Sequence, residues 1–152
     1  MRLVTLDTGG NGRTGVIIGA DVLDFTRAAA FVPLAAFVPP AMPALLAARE
    51  EGLDVIRRVI DAVQRRSADE QAAMRADGAL RAYDECALLA PVPSPGIVLS
   101  HGRAYLSHRK EMRGDKYDPS TESEPPSAFL KNGSSIIGTG AAIRLPKSNP
   151  AM

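Results

Sequence analysis

The chain has 152 residues, a formal net charge of +1, and 5% aromatic residues with no Trp. That length suits one domain, or a small domain plus part of another, and can bury a real core. Near-neutrality removes the bulk electrostatic case for nucleic acid or an anionic membrane as partner. The single cysteine, Cys86, excludes an internal disulfide and a cysteine-rich zinc site and fits a reducing, cytoplasmic setting.

The N-terminal run MRLVTLD has one positive charge and too short an apolar stretch for a secretory signal. It alternates, so residues 1–7 read as a strand. Thr8-Gly-Gly-Asn-Gly-Arg-Thr-Gly15 is a turn cluster. Residues 16–18 and 22–25 read as further short strands, which together predict a β-meander. Gly10-Asn-Gly12-Arg-Thr-Gly15 matches G-x-G-x-x-G, but a dinucleotide site needs a helix to start there. The β-branched residues that follow, broken by Gly19, favour a hairpin turn.

Residues 28–48 are 21 residues without a charge, long enough to span a membrane. Pro33, Pro39, Pro40 and Pro43 argue against it, because each removes a backbone donor that lipid cannot replace. The expectation is a buried, proline-punctuated connection with a helix starting near Met42. Gly52 is expected to separate it from an amphipathic helix over 53–66, with Leu53, Ile56, Ile60 and Val63 inward. Arg57, Arg58, Arg65 and Arg66, without interleaved aromatics, read as a solvated face. Ser67-Ala-Asp-Glu70 has capping-box form and opens another helix, which Gly78 stops. Residues 79–90 read as strand-like, with Cys86 a small core residue. Pro91, Pro93 and Pro95 form a stiff joint, placing a domain boundary at about residue 90.

Beyond it, residues 96–99 read as a strand and 100–103 as a turn into a helix carrying Tyr105, His108 and Glu111. His108 and Glu111 are three apart and share a helix face. A carboxylate beside an imidazole fixes its tautomer and raises its basicity, as a general base for water activation requires. A polar loop over 113–127 follows, and its Arg-Gly-Asp triplet reads as chance. Residues 128–131 read as a strand ending in Lys131. Turns follow at 132–135 and 138–140, and a last strand at 142–145.

In this order the segments resemble the fumarylacetoacetate hydrolase family. Its members carry a glycine turn, Asn-Tyr-x-x-His with a Glu three further on, a proline-bearing loop, a Phe-x-Lys strand and a Ser-Ser-Ile/Leu-Ile-Gly-x-Gly turn. Here these are Tyr105-Leu-Ser-His108-Arg-Lys-Glu111, Pro125-Pro126, Phe129-Leu-Lys131 and Ser134-Ser-Ile-Ile-Gly138-Thr-Gly140. The Leu88-Leu-Ala-Pro-Val-Pro93 joint is also similar.

The resemblance implies an α+β chain: a small N-terminal meander and helix domain over 1–90, then over 91–152 the first strands and catalytic helix of a mixed β-roll. It implies a cytoplasmic homodimer that cleaves C–C bonds of 1,3-dicarbonyl or 2-oxo acid substrates, with no nucleic acid or membrane partner. His108 would be the base and Glu111 its orienting partner. Tyr105 would line the pocket, and Lys131 would stabilise enolate charge. The implied cofactor is Mg²⁺ or another divalent metal, held by carboxylates. Three departures stand out: Ala104 replaces the family Asn, the loop after Met112 is long, and no Glu-x-Glu pair follows before Met152. The expectation is therefore a chain that lacks its metal ligands. Isomerase or decarboxylase chemistry of the same family, a non-catalytic binding module, and an unrelated α+β protein with a chance motif stay open beside hydrolysis.

Overall fold

The computed structural model describes residues 1–102, 105–116 and 127–144. They fall into two compact units, Met1–Pro93 with the segment from Ile137 onward, and Ser94–Ile136. The fold class is mixed α and β, with a curled antiparallel sheet.

The first unit is built on five strands: β1 (Arg2–Leu6), β2 (Arg13–Ile18), β3 (Asp21–Asp24), β4 (Leu80–Ala82) and β5 (Leu88–Leu89). Their spatial order is β4-β3-β2-β1-β5, with every neighbour antiparallel. The glycine cluster is the β1–β2 turn, as expected, and β2 starts where a nucleotide-binding helix would have to begin. Gly12 has φ 69°, and a Cβ there would lie 2.4 Å from the Leu6 carbonyl oxygen, so the turn admits only glycine.

Short helices cover one face of this sheet. They are α1 (Phe25–Ala28), a 3₁₀ turn (Pro33–Phe37), α2 (Met42–Ala47), α3 (Arg49–Gln64) and α4 (Ala68–Asp77). Val16, Leu23 and Leu80 of the sheet meet Phe25, Ala28, Leu45, Ile56, Val59, Val63 and Met74 in a single core. A fully buried side chain of this size contributes about 1.5–3 kcal/mol, which outweighs the weak helix propensity of the proline-rich stretch. Residues 28–48 are thus a folded connection. No helix among the described residues is long and apolar enough to cross a membrane.

Two buried threonines fasten the proline segments. Thr5 and Thr14 are cross-strand partners on β1 and β2. Thr14 Oγ1 donates to the Pro39 carbonyl (2.8 Å), and its backbone N–H donates to that of Pro40 (2.8 Å). Thr5 Oγ1 donates to the Pro91 carbonyl (2.7 Å). Nearby, Asp24 is buried. One of its oxygens accepts from the N–H groups of Thr26 (3.0 Å) and Arg27 (3.4 Å), capping α1, and the other pairs with Arg13 at 2.7 Å.

Several boundaries differ from the sequence reading. Phe25 opens α1 rather than ending a strand, because the Asp24 cap supplies the first free N–H acceptor. Gly52 does not separate helices: it lies buried inside α3, and the break falls at Arg49 (φ 49°). A Cβ on Gly52 would sit 3.0 Å from Ala48 Cβ and 3.1 Å from a Leu45 methyl, so glycine lets the two helices pack closely. The buried positions of α3 are Gly52, Ile56, Val59 and Val63, so Ile56 and Val63 lie inward as expected while Leu53 and Ile60 are only half-buried. Arg57 is solvated and paired with Glu50 and Asp54. Arg66 instead bonds the Phe31 carbonyl and Glu70, tying the end of α3 to both neighbours. Residues 79–90 are β4, a 3₁₀ turn at Tyr83–Glu85 and β5, not one strand. Residues 141–144 are irregular, and Leu145 lies outside the described residues.

The capping box is formed as read. The Ser67 N–H donates to Glu70 Oε2 (2.9 Å) and the Glu70 N–H to Ser67 Oγ (3.3 Å), while Gly78, left-handed, closes α4. At the Glu70 carboxylate the Ser67 backbone N–H, and after it the Ser67 hydroxyl, lower the pKa from its ordinary value.

Thr14→Val keeps the side-chain shape and removes the donor to Pro39. It should lower the unfolding free energy in urea by about 1–3 kcal/mol, and Thr14→Ser should recover most of the loss. Because the folded-state pKa of Glu70 is depressed, its stabilisation is complete above the ordinary glutamate value and lost as pH falls through the folded one. Thermal melts across that acid range should therefore decline less steeply in Glu70→Gln than in the wild type.

Candidate functional site

The described residues of the second unit form a two-stranded ribbon and an α-helix. Strand β6 (Val98–Gly102) pairs antiparallel with β7 (Ser127–Lys131), from Val98 opposite Lys131 to Gly102 opposite Ser127. Helix α5 (Leu106–Arg113) carries the motif, and Lys110 and Arg113 in its last turn complement the helix dipole. Gly114, at φ 51°, ends it. Tyr105 stands just before α5 in extended conformation (φ −111°, ψ 130°).

The helix brings His108 and Glu111 to one face, with Nδ1 3.7 Å from Oε2. That exceeds hydrogen-bond reach, so the contact is an electrostatic one that a side-chain rotation would close. His108 is 53% and Glu111 82% exposed. An exposed pair of this kind adds little to stability, so α5 does not depend on it. What the pair can do is chemical: the carboxylate faces Nδ1 and leaves Nε2 to accept a proton.

The other two expected residues are placed separately. Lys131 ends β7, its Nζ 5.8 Å from the centre of the Phe129 ring, a cation–π contact. Tyr105 is 74% exposed. Among the described residues no hydrogen bond or ion pair joins Tyr105 or Lys131 to His108 or Glu111. The structure thus unites two of the four residues directly.

The strand expected over 96–99 is shifted: β6 begins at Val98 and runs on to Gly102. Residues 100–102 continue β6 instead of turning, and Arg103 and Ala104 lie outside the described residues. Alternation puts Val98, Ser100, Phe129 and Lys131 on one side of the ribbon and Leu99, His101, Ala128 and Leu130 on the other. His101, which the sequence reading left in a turn, is therefore a ribbon residue facing away from Lys131. The turn at 132–135 forms as expected: Asn132 Oδ1 accepts from the Ser134 N–H (3.0 Å), and the Ser135 hydroxyl donates to the Asn132 carbonyl (2.7 Å). Most of the polar loop over 113–127, with Pro125 and Pro126, lies outside the described residues.

Among the described residues no three His, Cys, Asp or Glu side chains converge so as to hold a metal ion. No described residue is therefore assigned as a ligand of the Mg²⁺ that the motif resemblance implies. In comparison with known proteins, the chain matches no family model and no curated protein. Neither comparison assigns the chain to a family.

Cys86, in the first unit, is half-buried, and its thiol donates to the Ala82 carbonyl at 3.3 Å. Burial pushes its pKa up, opposed by the Arg81 charge. A raised pKa means less thiolate at neutral pH, which disfavours a nucleophilic role. Iodoacetamide at neutral pH should alkylate Cys86 more slowly in the folded protein than in urea, with mass spectrometry as the readout. Equal rates in both states would show that burial does not hold the thiol back.

Proposed function

We propose that this chain belongs to a fumarylacetoacetate hydrolase-like enzyme that cleaves a C–C bond of a 1,3-dicarbonyl or 2-oxo acid substrate. The observation that carries the reading is the His108–Glu111 pair on the exposed face of α5. It occurs within the ordered series Tyr105, His108, Glu111, Lys131 and Ser134 to Gly140.

In this reading Glu111 orients the imidazole through Nδ1, and Nε2 of His108 takes a proton from water as the water attacks the substrate carbonyl. The C–C bond then breaks with its electron pair passing to the enolate fragment. Lys131, a cation at the end of β7, suits the carboxylate or the developing enolate oxygen of such a substrate. Tyr105 offers an aromatic wall. A bound divalent ion would polarise the substrate carbonyl, and its ligands would come from outside the described residues. The implied homodimer and cytoplasmic setting belong to the same proposal.

The exposure of both His108 and Glu111 favours a second reading, a binding module without turnover. Acetylpyruvate hydrolysis with Mg²⁺, followed by loss of enol absorbance, separates the two. For the enzyme, His108→Ala should lower kcat by about a hundredfold or more, and Glu111→Gln should cause a smaller loss with little change in KM. Undiminished turnover in His108→Ala would remove His108 from the role of base. No turnover in any form of the protein would favour the binding module.

A further inference from the structure

The first unit contains a cavity that has no part in the chemistry above. It is an open hollow of about 290 Å³ lined by Arg2, Ile17, Gly19, Ala20, Tyr83 and Asp84. Its walls are fixed by the sheet. Arg2 and Ile17 face each other across β1 and β2, and Gly19 and Ala20 form the turn between β2 and β3. The Tyr83 N–H donates to the Ala20 carbonyl (2.9 Å), which holds the Tyr83–Glu85 turn against that hairpin tip. A second hollow of about 210 Å³ lies on the other side of the same turn and shares Tyr83 and Asp84 as walls.

The charges of this cavity are its distinguishing feature. Two of the nearby surface charges are paired, Arg75 with Asp21 at 2.6 Å and Arg27 with Asp77 at 3.8 Å. Among the described residues the Arg2 guanidinium and the Asp84 carboxylate have no ion-pair partner, in each other or elsewhere. One cavity therefore presents a free cation and a free anion, with Ile17 and the partly exposed Tyr83 ring as its apolar surface.

We infer that this cavity binds a small zwitterion of the amino-acid class. Arg2 receives the ligand carboxylate in bidentate fashion, Asp84 receives its ammonium group, and the carbon body lies on Ile17 and Tyr83. A ligand with only one of the two charges leaves the opposite protein charge unmatched and binds less well. The inference uses none of His108, Glu111, Tyr105 or Lys131, so it stands or falls apart from the proposed hydrolase activity.

The test is titration of the ¹⁵N-labelled 152-residue chain with L-phenylalanine and, for a wider charge separation, 5-aminovalerate. At least one should produce saturable amide shifts centred on Ile17, Gly19 and Ala20. For L-phenylalanine, 3-phenylpropionate and phenethylamine, which each lack one charge, should bind about tenfold more weakly or worse. For 5-aminovalerate the corresponding controls are valerate and pentylamine. Arg2→Gln and Asp84→Asn should each weaken the binding zwitterion by a similar factor while the Thr5 and Thr14 amides keep their positions. Absence of saturable shifts into the millimolar range for both probes would overturn the inference. So would equal binding of the single-charge analogues, or unchanged affinity in correctly folded Arg2→Gln and Asp84→Asn.

Discussion

The first unit depends on one cross-strand pair. Thr5 and Thr14 face each other on β1 and β2, both buried, and their hydroxyls hold the carbonyls of Pro91 and Pro39. Proline-rich chain has few N–H groups with which to fasten itself, so it must be held through its carbonyls. Donors from a rigid sheet serve that need, and here two segments far apart in sequence are fastened at adjacent points. Asp24 extends the same arrangement, holding Arg13 on β2 with one oxygen and starting α1 with the other. Polar contacts thus set the positions from which the apolar core of Phe25, Leu45, Ile56 and Met74 is packed.

The second unit is arranged differently. None of its described residues is buried, and their strands and α-helix amount to one ribbon and one helix of eight residues. A lone two-stranded ribbon is marginal in water, since it has no apolar interior of its own. The charged face of α5 is correspondingly open. Chemistry at His108 would require a bound substrate to displace bulk water there, all but the molecule that reacts, because exposed charges act through a high dielectric.

Much of the first unit was legible from local pattern. The meander, the β1–β2 turn, the Ser67–Glu70 capping box and the Gly78 stop all follow from short-range chemistry, and all are present. What pattern could not supply was long-range. Gly52 reads as a helix breaker by propensity, but the close approach of Leu45 and Ala48 makes it a packing residue. Arg66 reads as solvated from its helical position, yet the carbonyl of Phe31, thirty-five residues earlier, captures it. At the site, the spacing of His108 and Glu111 sufficed to place them on one face, because three-residue spacing is a property of the helix itself. The place of Lys131 relative to that pair is a tertiary matter that spacing along the chain does not encode. His101 was misread because the turn signal at Gly102 masked a strand that runs through it.

The position of β5 bears on how the chain folds. Strands β1, β2 and β3 are joined by turns of a few residues and can pair while the chain is still short. Leu88 and Leu89 pair with Leu6 and Thr5, and Thr5 also waits for Pro91, eighty-six residues away. The outermost edge of the sheet therefore closes last, after α1 to α4 have been threaded between its neighbours in sequence. Contacts of such separation slow folding, since loop-closure entropy is lost before the contact forms. Until β4 and β5 arrive, both edges of the three-stranded meander are open, and the helices that intervene must fold against a sheet two strands short.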